Sequence, residues 1–240
     1  MRATRFIVSL IKTAIVLMLL LTAVPVPAQH GGHDRGPHGN PRDLKAYLEM
    51  LDDPARDKDQ KPVQVIEALG LRPGMAVADL GSGSGYFTRR FVEAVTDTGK
   101  VYAVDVEPEM LDYVKESLVH MHIPYTAEFV LARPDNPKLP LESLDLIFIC
   151  NTYHHLENRP TYFENLKSTF KPDGRIAIVD FYHDERSGKL GFSKDHLVPR
   201  ETVLEEMSKA GYKLVREHEF LPRQYFLVLV PVERKSRPNP

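Results

Sequence analysis

The chain holds a single cysteine, Cys150, so no intrachain disulfide can form and a disulfide-stapled scaffold is excluded. Cys150 sits in the apolar run 144–150, where a lone thiol reads as a small buried core residue. Excess positive charge is also missing. The formal net charge is −2, and setting residues 1–28 aside leaves 28 basic against 33 acidic residues. That balance gives no overall basic footprint for nucleic acid or other polyanions. No internal repeat and no second domain are visible. What remains is ordinary for one globular domain with a sizeable core, with 42% apolar and 27% charged residues.

The first 28 residues stand apart. Arg2, Arg5 and Lys12 precede the apolar stretch 13–24, and Pro25-Val26-Pro27-Ala28 follows. A basic head, a short apolar stretch and a small-x-small exit describe a secretory signal peptide, cut after Ala28. The rival reading is an uncleaved membrane anchor over residues 6–24, with Lys12 reaching back to the interface. No cysteine follows this leader to carry a lipid, and no adjacent arginine pair marks the twin-arginine route. The positive residues stay inside, so the domain is expected outside, periplasmic or secreted. Residues 29–42, rich in His, Gly and Pro, read as a flexible linker. His30, His33 and His38 either form a solvated tail or offer a transition metal a foothold.

From residue 43 onward the chain reads as one domain. Two short amphipathic helices come first, over 43–51 and from Pro62 to Gly70. Strands at 75–80, 100–106, 125–131, 144–150 and 175–181 then alternate with helices at 87–95, 108–120 and 160–170. After a helix over 200–210, two strands at 212–220 and 224–230 follow one another with no helix between. The alternation implies βαβ units, and the near-continuous apolar strands imply burial on both faces. A three-residue joint, 221–223, forces the last two strands to be antiparallel. The expected fold is α/β: a three-layer, Rossmann-like, mostly parallel seven-stranded sheet with an antiparallel C-terminal hairpin.

The glycine loop Asp79-Leu80-Gly81-Ser82-Gly83-Ser84-Gly85 joins the first of these strands to a helix. Glycines let backbone approach a ligand, and a helix start offers unpaired N–H groups. The dinucleotide fingerprint places its third glycine one residue later, in the slot held here by Tyr86. Asp79 would repel a pyrophosphate but attract an ammonium group. Asp105, ending the second strand, is placed to accept ribose hydroxyls. A ligand carrying both partners is a nucleoside joined to an amino acid.

The motif Asp79–Gly85 resembles motif I of the class I S-adenosylmethionine-dependent methyltransferases. Val104-Asp105-Val106-Glu107-Pro108 resembles their second motif, Leu144-Asp145-Leu146-Ile147-Phe148 their fourth strand, and Phe170-Lys171-Pro172-Asp173-Gly174-Arg175 the turn before their fifth. The C-terminal hairpin is similar to the family's reversed last strand. The likeness runs from about residue 62 to 230, and the group resembled is the small-molecule branch that includes the ubiquinone and menaquinone methyltransferases. It implies S-adenosylmethionine as cofactor, held by Asp79, Gly81, Ser82, Gly83, Gly85, Asp105, Val106 and Asn151. The family often carries an acid just after the third strand, near the adenine amino group, and here Asp135 or a backbone carbonyl takes that place.

Beyond the fourth strand stands Asn151-Thr152-Tyr153-His154-His155, a segment that faces the sulfonium in the resembled family. Methyl transfer needs in-line orientation above all, and a base only where the acceptor loses a proton. His155 and His154 are the candidate bases, with Tyr153 orienting the acceptor; capping and solvent exposure are the plainer roles for the histidines. Tyr182, His183 and Asp184 follow the fifth strand on the same sheet edge. The two N-terminal helices are expected to form a lid. Arg56, Lys58 and Gln60 between them reach the cofactor carboxylate or the acceptor, or else form a solvated turn. The expected function is methyl transfer to a small-molecule acceptor, with no metal in the site and membrane contact only through residues 1–28. The alternatives are a non-catalytic exported ligand- or metal-binding protein on the same fold, and a nicotinamide-dependent oxidoreductase, which the glycine spacing and the hairpin disfavour. S-adenosylmethionine is made in the cytoplasm, so an exported enzyme needs a supply from across the membrane.

Overall fold

The structure, a computed structural model, describes residues 43–121, 127–190 and 193–232. The residues expected to form the leader and the histidine linker, 1–42, and the chain end fall outside them. Among the described residues no helix is long and apolar enough to cross a membrane.

The chain opens with α1 (Leu44–Leu51), α2 (Asp57–Gln60) and α3 (Pro62–Leu69). Local chemistry sets their limits. Asp43 caps α1 by accepting the Ala46 N–H at 3.1 Å. Pro62 opens α3, and Gly70 closes it with φ +59°. Then follow β1 (Ala76–Leu80), α4 (Tyr86–Val95), β2 (Lys100–Asp105), α5 (Pro108–His120) and β3 (Ala127–Leu131). The second half holds β4 (Leu144–Cys150), α6 (Arg159–Leu166), β5 (Phe170–Phe181), α7 (Arg200–Lys209), β6 (Tyr212–His218) and β7 (Gln224–Pro231).

The seven strands form one sheet in the order β3-β2-β1-β4-β5-β7-β6. The first five are parallel, β7 runs against β5, and β6 runs against β7. The order reverses between β1 and β4, and such a switch point opens a crevice at the carboxyl ends of the strands.

Alternation along the strands divides the core into two layers. Val77, Val101, Ala103, Leu146, Phe148, Ala177 and Val179 pack with α3, α4 and α5 through Val65, Leu69, Phe87, Phe91, Val95 and Val114. Ala78, Val104, Ile147, Ile149, Ile176 and Ile178 pack on the other face with α6 and α7 through Phe163, Leu166, Val203 and Met207. Each buried side chain of this size contributes about 1.5–3 kcal/mol. Both faces are covered, as the apolar strands require.

Three boundaries differ from expectation. The expected turn at 171–174 belongs to β5, which begins at Phe170 and takes up a register shift opposite Leu144 and Leu146. Gly174 packs there with no room for a side chain, since a Cβ would lie 2.7 Å from Phe170. The helix expected to run to Phe170 stops at Leu166, followed by a short 3-10 turn. Strand β6 ends at His218 because the Phe220 carbonyl leaves the ladder and accepts from Lys61 Nζ at 2.7 Å.

Candidate functional site

A cavity of about 1020 Å³ opens at the crevice, floored by the glycine loop and the ends of β1, β2 and β4. Small-molecule sites usually enclose about 300–1,000 Å³. This one is at the upper limit, enough for a nucleoside-sized ligand beside a second small molecule. Of the cofactor residues expected from sequence, Asp79, Gly81, Ser82, Gly83, Asp105, Val106 and Asn151 all line it.

Close packing dictates the loop. Gly81 has φ +80°, and a Cβ there would lie 2.2 Å from Thr152 Oγ1, so the loop presses against the turn after β4. Gly85 has a different task from the one expected. It is absent from the cavity wall, and its Cβ would lie 2.8 Å from Val114 on α5. It lets two helices approach and does not face the ligand.

Two buried carboxylates frame the loop. Asp105 accepts the Gly83 N–H at 2.9 Å and the Glu107 N–H at 3.1 Å. Burial raises its pKa even though these donors pull it down. Asp79 is 3% exposed and accepts the Thr88 hydroxyl at 2.6 Å. Burial pushes it up to about 7 against that hydrogen bond, and the negative charge of Asp105 adds to the rise. Such a group welcomes a cation that restores its charge. Asn151 adopts φ +54°, and Gln224, itself fully buried, donates to its Oδ1 at 2.6 Å.

The turn after β4 separates the three candidate catalytic residues. His154 lines the cavity, and its Nδ1 lies 2.8 Å from Asp180 Oδ1 at the end of β5. The His154 N–H also donates to Asp180, at 3.2 Å. His155 lines the cavity too, exposed, with its ring 4.2 Å from that of His154. Tyr153 goes elsewhere, and the expectation that it orients an acceptor is corrected. It is fully buried, stacked 5.3 Å from Phe163, and its hydroxyl donates to Glu206 at 2.7 Å. In a 3-10 turn successive side chains point about 120° apart, so a neighbour of two cavity residues can face the core.

Asp135 is likewise not brought to the site. Arg133 and Asn136 exchange backbone hydrogen bonds, which puts Pro134 and Asp135 at the tip of a tight turn with Asp135 exposed. Ala132, Arg133 and Pro134 line the cavity at that end instead. Nor do Tyr182, His183 and Asp184 reach the wall; Asp184 caps the next turn by accepting the Arg186 N–H. Cys150 does line the floor, but burial raises its thiol far above the ordinary range, and it donates to Gln60 Oε1 at 3.4 Å.

The N-terminal helices cover the loop as a lid. Tyr47, Leu51 and Arg56 reach the cavity. Asp52 fastens α1 through Arg89 at 2.6 Å and Tyr113 at 2.7 Å, and Asp59 fastens α2 through Arg223 at 2.9 Å. Lys58 is exposed and off the wall.

The fold and this pair of buried acids define a Rossmann-like domain built for a nucleoside that carries an amino-acid tail. Comparison with known proteins makes the class specific. Residues 77–174 match the family described as a methyltransferase domain. The chain is 30% identical over 116 residues to the ubiquinone/menaquinone biosynthesis C-methyltransferase UbiE of Shewanella pealeana, covering 48% of this chain and 46% of that protein. To the UbiE of Pseudoalteromonas translucida it is 27% identical over 157 residues, covering 64% and 62%. The chain thus spans less than two thirds of these curated relatives. The crystal structure of a SAM-dependent methyltransferase from Aquifex aeolicus superimposes with a TM-score of 0.71 at 29% identity, covering 77% of this chain and 96% of that one. Residues 77–174 thus carry a methyltransferase domain, and the chain resembles the class I S-adenosylmethionine-dependent methyltransferases, UbiE among them.

The residues present fit that cofactor. Asp105 and Asp79, both buried and lining the cavity, are acceptors of the kind that ribose hydroxyls and an ammonium group require. The Ser82 hydroxyl, buried in the cavity floor, has no hydrogen-bond partner among the described residues. A buried polar atom left in that state is costly unless a ligand or water meets it.

Proposed function

We propose that this protein transfers a methyl group from S-adenosylmethionine to a small-molecule acceptor on the far side of the cytoplasmic membrane. The observation that carries the reading is the pairing of Asp79 and Asp105 around one glycine loop, inside a cavity with room for a second molecule. Bound S-adenosylmethionine supplies an electrophilic methyl carbon on a sulfonium. The protein's part is to hold the acceptor in line with it and to exclude water, effects that can supply about 7–11 kcal/mol. The lid residues Tyr47 and Leu51 close the cavity on one side, and the turn carrying His154 and His155 closes it on the other.

His154 is the stronger candidate base. Its Nδ1 proton is held by Asp180, and a proton taken up at the other ring nitrogen would be balanced by that buried carboxylate. His155 lies exposed at the cavity wall, which suits acceptor entry. The export reading rests on residues 1–28, whose basic head and apolar stretch match a secretory leader.

The test is product formation. The full chain is incubated with methyl-labelled S-adenosylmethionine and the small-molecule fraction of a cell envelope extract. Labelled methyl should appear in an extractable small molecule, together with S-adenosylhomocysteine. Label confined to protein or nucleic acid would refute the acceptor class. A C-terminal alkaline phosphatase fusion, active only outside the cytoplasm, tests the location.

A further inference from the structure

Asn151 follows β4 with φ +54°, a left-handed conformation that asparagine takes more readily than most residues with a side chain. Its backbone N–H donates to the Val179 carbonyl of β5 at 2.9 Å, and its Oδ1 accepts from Gln224 Nε2 at 2.6 Å. Gln224 is fully buried where β7 begins, opposite Phe181 of β5, and reaches back across β5 to the turn after β4. Cys150 sets the sense of this contact. The thiol gives its hydrogen to Gln60 Oε1 at 3.4 Å, so its sulfur meets Gln224 Nε2, 3.9 Å away, as an acceptor. The Gln224 amide nitrogen thus serves Cys150 and Asn151 together. Turning the amide over would set its carbonyl oxygen against the sulfur lone pairs.

The carbonyl half of the Asn151 amide is therefore taken. Its Nδ2 makes no hydrogen bond among the described residues, and it is the half that Asn151 offers to the cavity it lines. Asp79 and Asp105 end β1 and β2, on one side of the switch point. Asn151 follows β4 on the other side and is tied to β5 and β7, in the half of the cavity that the turn with His154 and His155 also lines. We propose that Asn151 donates from Nδ2 to an oxygen of the methyl acceptor, and that Gln224 is the positioning residue that holds the amide in this sense. An oxygen carrying negative charge is the partner such a donor favours, whereas the hydrogens of an amine would meet those of Nδ2. This rests on the methyl-transfer reading above and adds the polarity of the group that the acceptor presents.

The experiment fills the donor site of the full chain with S-adenosylhomocysteine and titrates two coloured probes, para-nitrophenolate and para-nitroaniline, which present a charged oxygen or an amino group. Wild type should bind the phenolate more tightly and move its absorption band to shorter wavelength, the signature of a donor at its oxygen. Asn151→Gly, which keeps the left-handed backbone, should weaken the phenolate by roughly 10- to 100-fold and abolish the band shift, with the aniline unchanged within about threefold. Gln224→Met, of similar length but without a donor, should lose part of the same preference because Asn151 is then able to turn over. Retained S-adenosylhomocysteine binding shows that each variant is folded. Wild type that binds both probes alike, or neither, would overturn the proposal, as would phenolate binding that ignores Asn151→Gly. So would a Gln224→Met variant that weakens both probes equally, the mark of packing alone, or one that changes neither. If S-adenosylhomocysteine itself does not bind wild type, the methyl-transfer reading falls and takes this assignment with it.

Discussion

Asp79 sets a pH dependence that can be worked out in advance. Its folded-state pKa is about 7, against an ordinary 3.8. A raised acid holds its proton in the folded state over a range where the unfolded chain has lost it. The ligand-free domain therefore has its full contribution from this group below about pH 4, and loses it progressively as pH rises through 7. The whole span is worth about 4 kcal/mol at 1.36 kcal/mol per pKa unit. An ammonium-bearing ligand acts in the opposite direction, because it binds the carboxylate. At pH 8 most of Asp79 is ionised; at pH 5.5 only about 3% is, so affinity should fall about 30-fold, or about 2 kcal/mol. The assay is calorimetric titration of S-adenosylmethionine between pH 5.5 and 8, on wild type and Asp79→Asn. Every other group is common to both proteins, so the difference between the two isolates Asp79. A wild-type affinity that stays flat across this range, or an Asn variant with the same slope, would exclude Asp79 as the ammonium's counter-charge.

Three further outcomes follow from the packing and the turn. Gly85→Ala should cost several kcal/mol in denaturant unfolding, since its Cβ would meet Val114 at 2.8 Å and φ is +77°; adding Val114→Ala should recover part of that loss, and strict additivity would contradict the contact. Tyr153→Phe should lower stability by about 1–2 kcal/mol through loss of the Glu206 hydrogen bond, while donor affinity stays within about threefold; a large loss of affinity with unchanged stability would return Tyr153 to the site. His154→Gln should slow turnover of a proton-losing acceptor by about 10²–10⁴-fold while donor affinity stays within about threefold; unchanged turnover would remove His154 as base.

The sheet was legible because its strands are apolar runs separated by turn residues, and because 219–223 leaves no space for a crossover helix between β6 and β7. The glycine loop was legible because spacing alone separates it from the dinucleotide pattern. Single side chains were harder. Tyr153, His154 and His155 are adjacent in sequence, yet a 3-10 turn sends Tyr153 into the core and His154 to Asp180. Gly85 was read as part of the ligand cradle, whereas the presence of Val114 opposite it is a tertiary fact. Asp135 stands one residue beyond the segment that reaches the cavity, because an Arg133–Asn136 bridge turns the chain back. Asp180 was missed, although a signal existed: β4 and β5 are parallel neighbours with Cys150 opposite Val179, so an acid following Val179 lies beside the turn that follows Cys150. Recognising it required the strand order as well as the strands.

On the proposed function, the cavity holds S-adenosylmethionine through the two acids around the glycine loop. The most direct measurement titrates the full chain with S-adenosylmethionine and, separately, with NAD, on wild type and Asp105→Ala. Wild type should bind S-adenosylmethionine and not NAD, and Asp105→Ala should lose roughly 100-fold or more in affinity as the ribose hydroxyls lose their acceptor. Binding of NAD in preference, or S-adenosylmethionine binding that ignores the loss of Asp105, would contradict the account.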